Sequence, residues 1–362
     1  MRVLLVTGSF PPMKCGVGDY TASLAEALGE LPGTQVAVLT TAVDGVAKAR
    51  GNVQLLPLVP NWKWNALRPA LGAIREWRPD IVHIQYPTQG YEGGWLPWFL
   101  PVFLRLIKMP QVHTWHEFLP MGCHRHSALL ALCCEGVIVV RPRYKESMPS
   151  FYRWLVRNRP FEFIPNASAL PVATLIDGEQ TIVRRRFTTR DAKLIAFFGF
   201  IYPHKGVEDL FEIADPAKHH LVIVGSCDEA DSYHRLILDR VRNGAWKGKA
   251  TVTGFLPADQ VAKILAASDA VILPFRQGGG LWNTSLHGAV IQGSFVLTTS
   301  QVQHGYDSTR NIYFAKPGDI GEMREALRTH IGQRSNQTVQ ATYASWSEIA
   351  TSHAAMYPAV LR

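Results

Sequence analysis

Short apolar runs alternate with amphipathic stretches along almost the whole chain. The runs are apolar at nearly every position, which is typical of parallel strands covered on both faces. Two groups of five runs are predicted strands: Val3–Thr7, Gln35–Thr40, Asp80–Gln85, Gln111–Thr114 and Gly136–Val140, then Lys193–Phe198, His220–Val224, Ala250–Thr253, Asp269–Leu273 and Phe295–Thr299. Strands that alternate with helices predict an α/β fold, here with two doubly wound domains in tandem.

Apolar residues three or four positions apart mark the helices. Tyr20, Leu24 and Leu28 repeat in this way behind Asp19, the predicted N-cap. Shorter helices are predicted over Val207–Ala214 and Leu286–Gln292. Two further helices are predicted near the end of the sequence: one along Ile320, Met323, Leu327 and Ile331 behind a capping box of Asp319 and Glu322, and one over Tyr343–Tyr357.

The boundary between the two domains is predicted after the strand-like segment Phe163–Asn166. Residues 167–192 show little periodicity and resemble a linker with a lead-in to the next strand. We therefore expect an N-terminal domain over 1–168, a second domain over 169–342 and a terminal segment over 343–362.

Composition excludes several classes of protein. Among 362 residues 47% are hydrophobic and 18% are charged, so the chain can form two cores and is not expected to be disordered. The five cysteines form no CxxC pair, which argues against a disulfide scaffold and favours a reducing compartment. No apolar run reaches about 18 residues, and the first residues do not resemble a signal peptide.

The net charge of +8 is concentrated in one stretch. Residues 105–159 contain nine basic and three acidic side chains, and Phe151, Tyr152 and Trp154 lie among them. Basic and aromatic residues together suit an anionic membrane interface, although a solvated basic face is an equal alternative. No nucleic-acid motif is present, so nucleic acid is not an expected partner.

Four loops that follow predicted strands contain candidate chemistry. The first, 8–20, has Gly16 and Gly18 before a helix, but it lacks the third glycine of a dinucleotide fingerprint and could be only a tight turn. The second contains His116 and Glu117, where a histidine can bind a hydroxyl or phosphate or can simply be a polar core group. His113 and His116 at strand spacing point to opposite faces, so no metal site is expected.

The third and fourth loops precede helices in the second half. Gly199 and the Lys205-Gly206 pair form a natural pyrophosphate site, with an exposed lysine on a simple turn as the alternative. The fourth loop, 273–285, contains three successive glycines, and Asn283 or Thr284 is predicted to cap the next helix. Such a loop can turn its amides toward a phosphate or can be merely flexible.

These four segments, in this order, resemble the GT-B glycosyltransferases of the large retaining family four. The resemblance spans nearly the whole chain. It rests on Pro11, Pro12, Gly16, Gly18 and Tyr20, on GFIYPHKG at 199–206, on the apolar strand Val222–Ser226, on Thr253–Leu256 with the later Ala266–Ala270, on the donor loop PFRQGGGLWNTSL and on the Trp346 region. It implies two Rossmann-like domains facing a central cleft, with a terminal helix that crosses back to the first.

The resemblance also implies a binding mode. A nucleotide-diphosphate sugar would bind mainly to the second domain as a co-substrate, with no other cofactor and no metal. Its donor-binding residues would be Gly16, Gly199, Lys205, Gly225, Phe255, Leu256, Arg276, Gly280, Asn283, Thr284 and Ser285. Lys205 would pair with the diphosphate and His116 would lie near the reacting sugar, whereas Tyr20, Tyr86 and Glu117 would belong to the acceptor side.

Two departures from the family pattern stand out. The usual Glu-x7-Glu pair falls on Gly280 and Gly288, and Asn283, Gln277 or His287 could replace its function. The usual arginine beside the KG motif is Phe200 here, so Arg276 either restores the missing charge or is a surface arginine. Retention needs no protein nucleophile, so these losses do not exclude catalysis.

The expected activity is transfer of a sugar, with retention, to a glycan, a lipid-linked acceptor or another hydroxyl, in surface polysaccharide or glycoconjugate synthesis. The placement of the basic stretch in the acceptor domain favours an acidic or lipid-linked acceptor at the inner face of a membrane, with the protein otherwise cytoplasmic. A catalytically degenerate GT-B protein that binds a nucleotide sugar or a partner is the main alternative, and an epimerase or a phosphorylase of the same fold is another.

Overall fold

A computed structural model describes residues 1–43, 49–118, 126–168, 170–176, 178–188, 191–280, 282–335 and 345–361. The chain divides into two compact units. Unit 1 comprises Met1–Ala167 with Ala344–Arg362, and unit 2 comprises Ser168–Tyr343. The two boundaries each lie one residue from those expected, and the C-terminal segment belongs to unit 1. Within the described residues, no helix has the length and apolar character needed to cross a membrane.

Unit 1 is built on a sheet whose strands are parallel except for one short edge pair. In chain order its strands are β1 (Arg2–Val6), β2 (Gln35–Thr41), β3 (Ala49–Arg50), β4 (Val53–Val59), β5 (Ile81–Tyr86), β6 (Gln111–Trp115), β7 (Gly136–Val139) and β8 (Phe161–Phe163). They lie in the order β3-β4-β2-β1-β5-β6-β7-β8, and only β3 and β4 are antiparallel. The strand order reverses between β1 and β5, so ligands are expected at the carboxyl ends of these two strands.

The helices of unit 1 cover both faces of this sheet, and each face has its own apolar cluster. They are α1 (Gly16–Gly29), α2 (Leu67–Trp77), α3 (Leu96–Leu106), α4 (Ser127–Cys133), α5 (Tyr144–Ser147), α6 (Ser150–Leu155) and, from the end of the chain, α13 (Trp346–Val360). Helix α13 packs against α1, where Met356 and Tyr357 are buried.

Unit 2 has the same design. Its strands are β9 (Lys193–Phe198), β10 (His219–Val224), β11 (Ala250–Val252), β12 (Ala270–Leu273), β13 (Phe295–Thr299), β14 (Gly305–Asp307) and β15 (Ile312–Ala315). They lie in the order β11-β10-β9-β12-β13-β15-β14, with only β14 antiparallel to its neighbour. The helices are α7 (Glu179–Arg185), α8 (Leu210–Ile213), α9 (Ser232–Arg242), α10 (Ala258–Ala267), α11 (Thr284–Val290) and α12 (Ile320–His330). Here the strand order reverses between β9 and β12.

All ten predicted strands are present, with ends within two residues of the expectation. The apolar pattern did not predict β3, β4, β14 or β15. The strand-like segment predicted at Phe163–Asn166 begins at Phe163, which is the last residue of β8. These strands lie toward sheet edges or are very short. β4 contains Pro57 and has an irregular burial pattern, so its sequence lacks the continuous apolar run of a central strand.

The predicted capping role of Asp19 is wrong. Helix α1 begins at Gly16 with Cys15 in the N-cap position, so Asp19 lies inside the first turn. Burial raises the pKa of Asp19 to about 6, and Arg50 only partly opposes this effect. The apolar repeat identifies the buried face of a helix but not its first residue, because two glycines within the first turn hide the start.

The other helix predictions are partly confirmed. Asp319 caps α12 by accepting a hydrogen bond from the Glu322 amide at 2.9 Å, but the Glu322 carboxylate accepts from the Lys316 amide instead of closing a capping box. Helix α13 starts at Trp346 behind a full capping box of Ser345 and Glu348. Its predicted start, Tyr343, lies outside the described residues. The stretch 207–214 is a 3-10 turn followed by the single-turn helix α8.

Candidate active site

In unit 2, the loops after β9 and β10 approach each other closely at the carboxyl edge of the sheet. Gly199 has φ +141°, and a Cβ placed there would lie 2.9 Å from the Ser285 hydroxyl oxygen. A Cβ at Gly225 would lie 2.5 Å from the Gly199 carbonyl oxygen. Both positions therefore require glycine, and the structure brings together Gly199, Gly225 and Ser285, three residues that the resemblance assigns to the donor.

Lys205 lies on the loop that follows β9, at the same carboxyl edge of the sheet. It ends the 3-10 turn Pro203–Lys205, and its ammonium lies 4.4 Å from the centroid of the Phe275 ring. The next residue, Gly206, has φ +64° and leaves no room for a side chain against the Pro274 carbonyl. The strand reversal places the Lys205 loop, which follows β9, next to the loop after β12, so a half-buried cation lies at the expected ligand edge.

Helix α11 begins with a side-chain cap. Asn283 is its N-cap, as predicted, and the Asn283 side-chain oxygen accepts a hydrogen bond from the Ser285 amide at 3.0 Å. That amide thus has a partner within its own helix, and the contact of the Thr284 and Ser285 amides with a phosphate stays a prediction. The helix spans Thr284–Val290, so it begins and ends two residues before the predicted Leu286–Gln292.

Arg276 is paired with two carboxylates. Its guanidinium pairs with Glu208 at 2.7 Å and with Asp209 at 3.0 Å. Partial burial lowers the pKa of Arg276, but the attraction of the two carboxylates outweighs this effect and raises it overall. The charge is thus compensated within unit 2, which favours the alternative of a surface arginine, and the assignment of Arg276 to the donor site stays a prediction.

The glycine triplet serves the packing of aromatic rings. A Cβ at Gly279 would collide with the Phe275 ring, and a Cβ at Gly280 would collide with the Trp282 ring. At the second position of the missing carboxylate pair, a Cβ on Gly288 would lie 3.0 Å from Leu170. Side chains of this chain occupy the space around both positions, so neither can take a glutamate without rearrangement. Gly280 is buried under Trp282 rather than open to a ligand.

Aromatic side chains connect the turn after β11 to the Lys205 loop. Phe255 is 57% exposed and meets Phe200 with ring centroids 6.2 Å apart. Phe200 in turn meets Tyr202, and Tyr202 stacks on His204. Leu256 lines a separate cavity of about 630 Å³ between α7 and α10. Phe200 therefore replaces a family arginine with an apolar ring that supports the exposed Phe255.

In unit 1, His116 follows β6 and is only 7% exposed. Its Nε2 lies 2.9 Å from the Gln85 side-chain oxygen, and its ring meets the edge of Tyr20 at 4.7 Å between centroids. Burial, with smaller effects of His353 and Arg141, lowers the pKa of His116 to about 3. The imidazole is thus neutral at physiological pH and acts as a hydrogen-bonding group rather than as a cation.

Two predicted acceptor residues are buried. Tyr20 is 2% exposed, and its hydroxyl lies 3.2 Å from His353 Nε2. Tyr86 is 9% exposed, and its hydroxyl accepts a hydrogen bond from Trp98 at 2.7 Å. Both phenols are buried in unit 1 and bond to neighbouring side chains, and their assignment to the acceptor side stays a prediction.

Two other predicted residues of unit 1 are exposed. Glu117 lies at the surface and forms an ion pair with Arg141. Gly16 is also exposed, and a Cβ at this position would meet no atom within 4 Å, so nothing within the unit requires glycine here. In the described residues, no group of three His, Cys, Asp or Glu side chains could hold a metal ion.

The sequence did not identify the tight junction between the loops after β1 and β5. A Cβ at Gly90 would collide with the Gly8 carbonyl, and the Ser9 hydroxyl accepts a hydrogen bond from the Gly90 amide at 2.7 Å. Gln85, at the end of β5, was missed as well. A polar residue within an apolar strand was the available signal, because a buried amide requires a partner.

Two α/β units of this topology, with candidate ligand residues at the carboxyl ends of their parallel strands, are typical of the GT-B fold. Residues 15–173 match the family model described as glycosyl transferase 4-like domain, and residues 192–333 match glycosyl transferases group 1. The chain belongs to these glycosyltransferases, and the two matched domains together span most of its length.

Individual relatives are distant. The chain is 24% identical over 299 residues to a GDP-mannose-dependent alpha-mannosyltransferase of Mycolicibacterium smegmatis, covering 76% of this chain and 73% of the relative. Among solved structures, it resembles sucrose-phosphate synthase from Thermosynechococcus elongatus with a TM-score of 0.77 at 15% identity, covering 99% and 98% of the two chains. It resembles Anabaena Alr3699/HepE in complex with UDP and glucose with a TM-score of 0.76 at 13% identity, covering 99% of each.

Proposed function

We propose that this glycosyltransferase transfers a sugar from a nucleoside-diphosphate sugar to a hydroxyl acceptor with retention of configuration. The observation that carries the proposal is the close approach of Gly199 and Gly225 at the carboxyl edge of the unit 2 sheet, where the loop that carries Lys205 also lies after β9. Two glycines that open the backbone, on the same sheet edge as a half-buried ammonium, are suited to a diphosphate. The GDP-mannose dependence of one relative and the UDP bound to another support the same class of donor.

Charge development explains the role of Lys205. As the bond between the sugar and the leaving phosphate breaks, negative charge accumulates on the phosphate oxygens, and a fixed ammonium stabilises it. The leaving phosphate can then take the acceptor proton on the same face of the sugar, so no protein nucleophile and no metal is needed. His116, neutral and buried, would accept a hydrogen bond from a sugar or acceptor hydroxyl.

Nucleotide binding is the first test. Nucleoside diphosphates should raise the melting temperature of the protein, and the Phe255→Ala variant should weaken their affinity by about 5- to 100-fold, because a stacked aromatic ring contributes about 1–3 kcal/mol per base. The matched control is Phe151→Ala, which removes a phenyl ring with the same 57% exposure from unit 1. Calorimetric titration of both variants with UDP, GDP and ADP measures the effect.

Assays of donor hydrolysis and sugar transfer distinguish an active transferase from a protein that only binds the nucleotide. A transferase should hydrolyse its donor slowly without acceptor and should transfer the sugar with retained anomeric configuration, visible by NMR, in the presence of EDTA. Tight nucleotide binding with neither reaction would favour the degenerate binding protein suggested by the missing carboxylates. Failure to bind any nucleoside diphosphate would contradict both.

The acceptor side of the proposal rests on an exposed surface around α6. Phe151 and Trp154 are each 57% exposed and stack on each other, and the Arg157 guanidinium lies over the Trp154 ring at 4.7 Å. Arg153 is exposed one turn before Arg157. Exposed aromatic rings beside cations suit an anionic bilayer surface, so we propose a lipid-linked acceptor and peripheral binding at the inner face of a membrane, in polysaccharide or glycoconjugate synthesis.

Arg159 belongs to the same stretch but has another task. Its guanidinium donates to the carbonyls of Ala131 and Leu132 and is partly buried. Arg159 therefore stabilises the end of α4, and its substitution is unsuited to a test of membrane binding. Arg125 lies outside the described residues.

Vesicle binding tests this surface. The Arg153→Glu/Arg157→Glu variant should bind vesicles containing anionic lipid at least 10-fold more weakly, since each basic residue contributes about 1 kcal/mol near such a surface. The control, Arg240→Glu/Lys247→Glu, makes the same charge change at exposed positions of unit 2 and should bind normally. Equal losses in both variants, or binding to neutral vesicles, would overturn the membrane proposal and leave the transferase proposal intact.

A further inference from the structure

The side chain of Gln85 ends against the ring of His116. Gln85 belongs to β5, is fully buried and lies next to Thr114 of β6 in the sheet register. Its side-chain oxygen is 2.9 Å from His116 Nε2. The nitrogen of the same amide is buried and has no hydrogen-bond partner in the described structure. A buried amide that leaves one end unsatisfied is costly, which indicates a purpose beyond packing.

Other contacts hold the His116 ring in place. The His116 amide donates to the Tyr86 carbonyl at 2.9 Å, and the Tyr20 ring packs edge-on against the imidazole. Tyr20 is itself held by His353 of α13 at 3.2 Å. These contacts constrain where the ring lies, but none of them determines which ring nitrogen carries the proton.

The amide oxygen of Gln85 determines which ring nitrogen of His116 carries the proton. A carbonyl oxygen only accepts hydrogen bonds, so the His116 nitrogen facing it must carry the hydrogen. In a neutral imidazole the second nitrogen, Nδ1, then has a free lone pair and can accept a hydrogen bond from a hydroxyl. A ring with the opposite tautomer would present a donor at Nδ1.

We propose that Gln85 is a positioning residue that holds His116 as the Nε2–H tautomer, so that Nδ1 accepts a hydrogen bond from a hydroxyl of the sugar donor or the acceptor. This inference rests on the proposed function, because it assigns a task to His116 in the transfer reaction. The role of Gln85 is indirect, since it acts through the imidazole and not on the substrate.

The tautomer can be measured without any activity assay. In protein labelled with 15N-histidine, the His116 signals, assigned with a His116→Gln variant, should show a protonated Nε2 and an unprotonated Nδ1 at pH 7.5. An Nδ1–H tautomer in the unaltered protein would overturn the proposal directly. This measurement remains decisive even if the protein transfers no sugar, so it separates a failure of this inference from a failure of the proposed function.

Activity gives the second readout. Gln85→Leu removes the hydrogen-bond acceptor facing His116 and keeps a similar side-chain volume, so both tautomers of His116 should be populated. We expect kcat to fall about 10- to 100-fold, while the KM for the donor changes by no more than about threefold. Gln85→Glu keeps an acceptor oxygen facing the ring and should retain the Nε2–H signal. The matched control is Thr114→Val, which removes an equally buried hydrogen bond, between the Thr114 hydroxyl and His83 Nε2 at 2.7 Å, and leaves His116 unchanged.

The comparison of variants distinguishes positioning from stability. If Gln85→Leu and Thr114→Val lower the melting temperature equally but only Gln85→Leu lowers kcat, the role of Gln85 is positioning. If both variants lower kcat alike, or if Gln85→Leu leaves kcat and the His116 signals unchanged, the proposal is wrong.

Discussion

Replacing Lys205 with alanine should lower kcat for sugar transfer by about 100- to 1,000-fold. The loss is expected because the ammonium stabilises charge that exists only as the donor bond breaks, and removal of one such preorganised group typically costs this much. The free energy of unfolding should change far less than the activation free energy, since Lys205 is only half-buried and its cation–π contact with the Phe275 ring contributes about 0.5–1 kcal/mol. Initial rates at saturating donor and urea unfolding curves measure the two effects.

Two variants control for charge. Lys205→Arg keeps the positive charge but changes its shape and reach, so it should recover only part of the rate. Lys218→Ala removes a lysine of unit 2 whose side chain is 76% exposed, and it should leave kcat unaltered. Full activity of the Lys205→Ala protein would contradict the assignment of the donor site, whatever its stability.

Mild acid should destabilise unit 1 strongly. His83, His113, His116 and His353 are all buried there, and burial lowers the pKa of His113 and His116 to about 3 and that of His353 to about 4. The unfolded chain binds protons below about pH 6.5, whereas these native histidines stay neutral. Stability is therefore complete above pH 6.5 and falls as the pH drops toward the native pKa values, by about 2 kcal/mol per histidine at pH 5.

One variant isolates this effect. His113 is buried in β6 and lies outside the proposed chemistry, so His113→Leu should reduce the slope of unfolding free energy against pH by about 1.4 kcal/mol per pH unit, the contribution of one proton. The control His304→Leu replaces an exposed histidine of unit 2 and should leave the slope unchanged. Denaturant unfolding between pH 7.5 and 5 measures both. If the free energy of unfolding is the same at pH 7.5 and at pH 5, the histidines are not buried in the way that the structure shows.

The strands of both sheets could be read from the sequence because a parallel strand is buried on both faces. Such burial requires an uninterrupted apolar run, and each of the ten runs became a strand of a sheet. The strands β3, β4, β14 and β15 were missed because they are short or, in β4, irregularly buried, so their sequences contain no such run. The start of α1 was missed because glycines weaken the helical pattern in its first turn.

The candidate site was less predictable. Gly199 and Lys205 were predicted from a glycine turn followed by a lysine before a helix, and Gly225 from the family resemblance, and their binding of a donor stays a prediction. The sequence did not show that Arg276 pairs with carboxylates or that Tyr20 and Tyr86 are buried, because a charged or aromatic residue in a loop, a first helical turn or a strand end can face a ligand or a neighbouring element equally well. Their partners, Asp209, His353 and Trp98, are distant in sequence, so no local pattern could show them.

The amino-acid sequence by itself determined the two-domain α/β class and the strand ends at which ligands gather, because these follow from local apolar periodicity and from the residues that interrupt it. Only the tertiary structure decided how the polar groups are used. It paired Arg276 with carboxylates, buried Tyr20, filled the space beside Gly280 with Trp282 and set Gln85 against His116. The physical reason is that hydrogen bonds and ion pairs act over about 3 Å between residues that only the folded chain brings together.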